Sequence, residues 1–239
     1  MMRRLKVRSE KKLRTACIQF NAGLNWKKNW NQAEKFLIQA AAAKADVAVL
    51  PENFILRSSE AQLRHFAREN FSQITAQLKK IARQNRLAIV AGSMPEWVPQ
   101  TKLTANTCLV FSEEGRILLK YRKMHLFDIN LPGVQVRESR FVHPGKKPGF
   151  FKMKTLPCGV GICYDLRFPE YFRALSRKGA EILFIPANFT AKTGKTAWEV
   201  LLRARAIENQ AYVVASGQCG RHPAPNRRSV TWSVFQFVW

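Results

Sequence analysis

Short apolar runs alternate along this chain with longer stretches in which apolar residues recur every three or four positions, the pattern of strands interleaved with helices. RTACIQF (14–20) reads as a strand, and a helix follows over roughly 27–44 with Trp30, Ala33, Leu37 and Ala40 on one face. The apolar run of AKADVAVLP (43–51) reads as the next strand, followed by a helical stretch over 59–85 and a strand in LAIVAGS (87–93). TANTCLVFS (104–112) and RILLKYR (116–122), separated by Glu113, Glu114 and Gly115, read as a hairpin. Residues 124–149 are rich in Gly, Pro and charge, and the segment is long enough to be an active-site loop. A strand-like segment with Val160 and Ile162 on one face then ends at Cys163, a polar run leads to Pro169, and the alternation resumes. It continues as helix 169–178, strand EILFIPA (181–187), helix 195–209 and strand AYVVAS (211–216). In helix 195–209, Ala197, Val200, Leu201, Ala204 and Ile207 recur at helical spacing and are expected to face a sheet as core. The class is therefore α/β, with no internal repeat.

Three side chains that carry chemistry fall where strands end. Glu52 directly follows the apolar run 43–51, Lys123 follows RILLKYR, and Cys163 ends the strand in GVGICYDLRFPE (159–170). In open α/β sheets ligands bind beyond the carboxyl ends of strands, so the three can converge on one pocket. A free thiol with a pKa near 8.5 is only about 3% thiolate at pH 7, so a nucleophilic cysteine needs a base or a cation beside it. Glu52 can take the proton, while Lys123 and the backbone N–H after Cys163 can stabilise the oxyanion formed by attack on an amide carbonyl. The same groups would then protonate the departing nitrogen and activate water to release an acyl-enzyme. Each residue also has a plainer reading: Glu52 as a helix cap, Lys123 as a solvated strand end, Cys163 as a core residue.

LPENF (50–54), KYRKMHLFD (120–128), GVGICYDLRFPE (159–170) and TGKTAWEVLLRARAIENQAYVVASGQCGRH (193–222) together resemble the nitrilase, or carbon–nitrogen hydrolase, superfamily, most closely its deaminated glutathione amidases and omega-amidases. The resemblance runs from Arg14 to His222. It implies a four-layer αββα sandwich, two sheets face to face with helices outside, and a homodimer joined across helical faces. It implies Glu52 as general base, Lys123 as oxyanion stabiliser and proton relay, Cys163 as nucleophile, and Glu138, in VRES (136–139), as a second glutamate that positions the lysine and the substrate. Glu138 also reads as a loop salt bridge. By position after the nucleophile, Arg167 resembles the arginine that holds a substrate carboxylate. Tyr164, Phe189 and Thr193 resemble pocket residues, with a core aromatic as the plainer reading of Phe189 and a helix N-cap as that of Thr193. The substrate implied is a small carboxylate-bearing amide, deaminated glutathione or an alpha-keto amide, with nitriles and carbamoyl compounds as alternatives within the superfamily. No metal or organic cofactor is implied, because base, nucleophile and oxyanion group are all side chains.

Composition bounds this reading. With 239 residues, 46% of them hydrophobic, the chain can bury one large core, and nothing in it suggests two. Its five cysteines, at 17, 108, 158, 163 and 219, are an odd number without metal-ligand spacing, which fits a reducing cytosol and a cytoplasmic location. No apolar stretch reaches the ~18 residues of a membrane span, and the basic N-terminus lacks the apolar core of a signal peptide. Forty Lys and Arg against sixteen Asp and Glu give a net charge of +24, which raises the question of a nucleic-acid partner. The basic residues are nevertheless spread over the whole sequence, with one cluster in MMRRLKVRSEKKLR (1–14) and no zinc-finger, KH or RRM signature. A solvated basic surface is expected, and a positive field of this kind can also steer an acidic substrate.

The domain expected from these readings is 14–222, preceded by a basic extension (1–13) and followed by an atypical tail (223–239). After CGRH (219–222) the sequence PAPNRRSVTWSVFQFVW departs from the family pattern and reads as a truncation or altered frame, with Trp232, Phe235, Phe237 and Trp239 in an apolar run and no closing element. An unpaired sheet edge is expected there.

Overall fold

Val47, Ala48 and Val49 are all fully buried, so the strand they form is covered on both faces, as strands of parallel sheets usually are. The computed structural model describes residues 12–131, 134–222, 229–231 and 236–238. The first sheet holds β1 (Thr15–Cys17), β2 (Val47–Val49), β3 (Ala88–Val90), β4 (Met94–Val98), β5 (Leu103–Phe111) and β6 (Ile117–Arg122). Strands β1, β2 and β3 run parallel, while β5 pairs antiparallel with β3 and β4 along one edge and with β6 along the other.

Three helices cover the outer face of this sheet. Asn25 caps α1 (Trp26–Ala42) by accepting from the Lys28 N–H at 3.1 Å, and Trp30, Ala33, Leu37 and Ala40 are buried as the spacing predicts. The helical stretch 59–85 is two helices, α2 (Glu60–Glu69) and α3 (Phe71–Asn85). Asn70 separates them with φ −118°, its N–H still bonded to the Phe66 carbonyl, because the buried stripe of α2 at Phe66 and Ala67 resumes only at Ile74. A hairpin of β7 (Asp128–Leu131) and β8 (Val134–Arg137) and a short 3-10 turn over Glu138–Arg140 occupy the segment expected to be loop.

The second sheet is built from β9 (Gly149–Met153), β10 (Leu156–Val160), β11 (Ile182–Ala187) and β12 (Tyr212–Gly217), with α4 (Pro169–Arg177) and α5 (Ala191–Asn209) on its outer side. Val47, Val49, Val90, Val110 and Tyr121 of the first sheet pack with Phe151, Val160, Phe184 and Val214 of the second in one core. A second core lies between the first sheet and α1–α3, lined by Ala48, Leu50, Ile89, Leu37 and Leu78. Alternate residues of β2 and β3 thus feed different cores, which is what makes the architecture a four-layer αββα sandwich.

Two expectations are corrected. The stripe of α5 that buries itself is Trp198, Leu202, Arg205, Ala206 and Asn209, whereas Val200 and Ile207 are 67% and 72% exposed. Periodicity misled because Arg205 is a core-facing residue: its Nε and Nη2 donate to the Leu166 carbonyl at 3.1 and 2.8 Å, and its Nη1 to Glu208 Oε1 at 2.8 Å. The edge of the second sheet is also paired. Of the tail, β13 (Gly220–His222) pairs with β14 (Ser229–Thr231), and β15 (Gln236–Val238) lies antiparallel to β12, Val214 opposite Phe237. The remainder of the tail, and residues 1–11 of the basic extension, lie outside the described residues. No described helix is long and apolar enough to cross a membrane.

Strand β4 anchors β6 through Glu96. Its carboxylate accepts from Arg122 Nε and Nη2 at 3.0 and 2.6 Å and from Thr107 Oγ1 at 2.8 Å, beside Lys120 Nζ at 2.5 Å. Burial opposes ionisation of Glu96, but the bonds from Arg122, Lys120 and Thr107 outweigh it and hold its pKa below the usual carboxylate value. A depressed folded-state pKa contributes stability above the unfolded value of about 4.3, and that stability is lost as pH falls through the folded value. Glu96→Gln is expected to cost about 1–3 kcal/mol at neutral pH. It should also flatten the acid limb of melting temperature against pH, as followed by circular dichroism.

Candidate active site

The loop after β2 is forced into a tight path. Asn53 has φ +55°, its N–H donates to Ser93 Oγ at 3.0 Å, and Gly92 passes so close that a Cβ there would sit 2.0 Å from the Pro51 carbonyl oxygen. Gln218, beyond β12, donates from Nε2 to the carbonyls of Glu52 and Asn53 at 2.9 and 3.0 Å, while its Oε1 accepts from the Ala22 N–H at 2.8 Å. These bonds turn the Glu52 side chain inward, where it is 3% exposed. Lys123 leaves β6 beside Arg122 and is 2% exposed.

Lys123 Nζ donates to Glu52 Oε1 at 3.0 Å and to Glu138 Oε2 at 3.0 Å. Asn106 on β5 bridges the same carboxylates, 3.0 Å from Glu52 Oε1 and 3.5 Å from Glu138 Oε1, and the Phe127 N–H donates to Glu138 Oε2 at 2.6 Å. Burial alone would strip the lysine of its proton, yet Glu138 and Glu52 together hold its pKa well above the usual value. An ammonium ion is therefore fixed between two carboxylates at a buried position.

Cys163 starts a 3-10 turn, Cys163–Arg167, and carries φ +48°, a left-handed backbone that is strained for any residue with a Cβ. Asp165, fully buried, holds that turn. Its Oδ2 accepts from the Ile162 N–H and from the Tyr121 hydroxyl, both at 2.7 Å, and its Oδ1 accepts from the His125 N–H at 3.0 Å and lies 2.7 Å from His125 Nδ1. The imidazole stacks on Phe168 at 3.7 Å between centroids. Tyr121 and His125 belong to the segment that carries Lys123, so one carboxylate couples the thiol's turn to the lysine's strand. The Cys163 thiol is pushed well above its usual pKa by burial and by Glu52, with Lys123 pulling the other way.

A cavity of about 470 Å³ opens on these groups, lined by Glu52, Lys123, Glu138 and Cys163 together with Tyr164, Arg167, Phe189 and Thr193. All eight side chains singled out from the sequence thus meet in one place. The profile of the carbon–nitrogen hydrolase family matches residues 14–234. The chain belongs to the carbon–nitrogen hydrolase family. A deaminated glutathione amidase of Synechocystis sp. is 39% identical over 87% of this chain and 78% of its own length, and an omega-amidase of Xenopus tropicalis is 36% identical over 86% and 74%. Among solved structures, the C. elegans NitFhit protein superposes with a TM-score of 0.82 at 33% identity, over 90% of this chain and 52% of that longer one. Saccharomyces cerevisiae Nit3, described as a member of branch 10 of the nitrilase superfamily, gives 0.80 at 30% identity over 91% and 79%. As a carbon–nitrogen hydrolase, the protein acts on C–N bonds other than peptide bonds.

Within this hydrolase the residues differ in how tightly they are held. Phe189 is buried against Trp198, ring centroids 5.0 Å apart, so it is both core and cavity wall. The cap of α5 is Thr190, which accepts from the Thr193 N–H. The Thr193 hydroxyl lies 2.8 Å from that of Thr190, so Thr193 is not the cap. Tyr164 packs edge-on to Phe127 at 5.1 Å, and Arg167 is exposed at the cavity mouth. Sequence reasoning missed Asn106, Gln218, Asp165 and His125. The last three lie inside the quoted motifs, which was the available signal; Asn106 lies in a plain strand and gave none. No cluster of three metal-ligating side chains occurs among the described residues.

With burial and Glu52 raising its pKa, the resting Cys163 thiol keeps its proton at neutral pH. Its alkylation by iodoacetamide, followed by mass spectrometry of the Cys163 peptide, is expected to keep accelerating past about pH 9. A plateau below about pH 8 would instead reveal a resting thiolate held by Lys123.

Proposed function

We propose that the protein is an amidase in which Cys163 is the nucleophile, Glu52 the general base and acid, Lys123 the oxyanion stabiliser and Glu138 the residue that positions the lysine. The observation that carries this reading is the buried Lys123 ammonium locked between the buried Glu52 carboxylate and the half-buried Glu138 carboxylate at the wall of the cavity that holds Cys163. Glu52 takes the thiol proton as Sγ bonds to the amide carbon, and the negative charge that develops on oxygen faces Lys123 and the Tyr164 N–H. As the C–N bond breaks, Glu52 passes the proton to the nitrogen, leaving a thioester and a free amine. Glu52 then takes a proton from water, the water oxygen attacks the thioester, and the thiol leaves with the proton restored to sulfur. The products are a carboxylic acid and an amine or ammonia.

The substrate proposed is a small carboxylate-bearing amide, deaminated glutathione or an alpha-keto amide, supported by the names of the relatives and by Arg167 at the cavity mouth, whose planar fork suits a carboxylate. Turnover of deaminated glutathione and of alpha-ketoglutaramate is expected in purified protein and is expected to vanish in Cys163→Ala, while a chelator leaves the rate unchanged. A folded wild-type protein inactive on both compounds would remove this substrate class.

A homodimer formed through the outward face of α5 is the quaternary structure we propose, supported by Val200 and Ile207 of that helix, which are exposed by more than half. Sedimentation velocity is expected to show a dimer that Val200→Glu with Ile207→Glu converts to monomer. A wild-type monomer at micromolar concentration would rule it out.

A further inference from the structure

A glutamate does not fix the plane of its own carboxylate, because the terminal torsion of the side chain is broad and roughly two-fold. A carboxylate that exchanges protons with a thiol, a leaving nitrogen and a water needs that plane held from outside. Lys123 Nζ and Asn106 Nδ2 both donate to Oε1 of Glu52, each at 3.0 Å, so the lone pairs of that oxygen are filled. Both oxygens of Glu138 are also in use. Its Oε2 accepts from Lys123 Nζ at 3.0 Å and from the Phe127 N–H at 2.6 Å, and its Oε1 faces Lys123 Nζ and Asn106 Nδ2 at 3.4 and 3.5 Å. Of the carboxylate oxygens around Lys123, Glu52 Oε2 alone takes no N–H bond from the described residues. The Glu52 side chain has one further partner, the Cys163 thiol.

Asn106 is 6% exposed and lines the cavity. Its main-chain carbonyl accepts the Lys123 N–H at 2.9 Å, so the pairing of β5 with β6 sets amide and ammonium side by side. Its Nδ2 serves both carboxylates, but its Oδ1 is shut off from solvent without a hydrogen-bond partner. A bare buried amide oxygen costs free energy, and turning the amide over would set that oxygen against two carboxylates instead. A leucine has the same branching at Cγ and carries no polar atom to leave unpaired. What Asn106 brings to the position is therefore its N–H groups, and unsatisfied buried polar groups of this kind mark sites where function outweighs stability.

We propose that Asn106 is a positioning residue which, together with Lys123, ties down Glu52 Oε1 and leaves Oε2 as the single atom through which every proton of the reaction passes. The assignment rests on the cysteine-amidase reading and deepens it. Oε2 takes the thiol proton as the Sγ–C bond forms and gives it to the nitrogen as the C–N bond breaks. It then takes a proton from water as the water oxygen attacks the thioester, and gives that proton to sulfur as the C–S bond breaks. Without the Asn106 bond, Oε1 regains a lone pair and the carboxylate can pivot about Lys123, so Oε2 is no longer held in one direction.

The test uses p-nitrophenyl acetate, whose phenolate departs without a proton, so that Cys163 is acetylated readily while hydrolysis of the acetyl-enzyme still needs a base for water. Peptide mass locates the acetyl group at Cys163, and intact mass follows its loss. In Asn106→Leu that loss is expected to slow by about 10-fold or more, the range of a hydrogen bond to a charged group. The acid limb of its rate is expected to move to higher pH by about one unit, because the carboxylate has lost a donor that favours its ionised form. The charged and titratable groups facing Glu52, which are Lys123, Glu138, Cys163 and Arg57, are the same in the variant. A rate or an acid limb equal to that of wild type overturns the proposal, since a residue that merely supports the fold leaves the limb where it is. Wild type that loses the acetyl group but hydrolyses no amide would reject the amidase reading, and the same comparison would still decide the role of Asn106. Wild type that is never acetylated at Cys163 removes the nucleophile and this proposal with it. Should Asn106→Leu fail to fold, Asn106→Ala is compared in its place, and failure of both to fold assigns Asn106 to stability and overturns the proposal.

Discussion

The buried ammonium of Lys123 is the interaction on which the arrangement of this protein depends. It draws Glu52 from the loop after β2 and Glu138 from the turn after the β7–β8 hairpin to one point at the end of β6. Removing one partner of a buried pair leaves an uncompensated charge and typically costs about 3–5 kcal/mol. Chain segments separated by more than seventy residues are thus held together by one charge, which the two carboxylates favour against the effect of burial. Asn106, the Phe127 N–H and Gln218 spend their bonds on keeping those carboxylates where they are.

The thiol arrives from the other sheet, so its position relative to the lysine is a matter between layers rather than within one. Asp165 makes that connection. It accepts from Tyr121 on β6 and from His125, and it also closes the turn that begins at Cys163. From behind, Arg205 on α5 grips the Leu166 carbonyl of the same turn. A core of aliphatic side chains between the sheets sets their spacing, but close packing alone would let them slide slightly. Directional bonds to a buried carboxylate remove that freedom.

The order of strands and helices was legible in the sequence because most elements bury a periodic apolar face, as α1 does at Trp30, Ala33, Leu37 and Ala40. The two sheets were legible only through the resemblance, since no local pattern says which strands are neighbours. Failures have local causes. Strand β4 carries Pro95 and Glu96, which disguise it, and Arg205 turned the stripe of α5 the wrong way because a satisfied guanidinium can occupy a core position. In the site, the groups that do chemistry stood out by residue type at strand ends. Those that hold them, Asn106 and Gln218 above all, are amides whose value depends on partners 54 and 166 residues away, which spacing cannot reveal.

The left-handed backbone at Cys163 has an evolutionary consequence. At φ +48° a side chain branched at Cβ collides with its own main chain. Threonine is thereby penalised at this position before its reactivity is ever tried. The shape of the turn thus selects among nucleophiles ahead of chemistry, favouring the unbranched side chains of cysteine and serine over that of threonine.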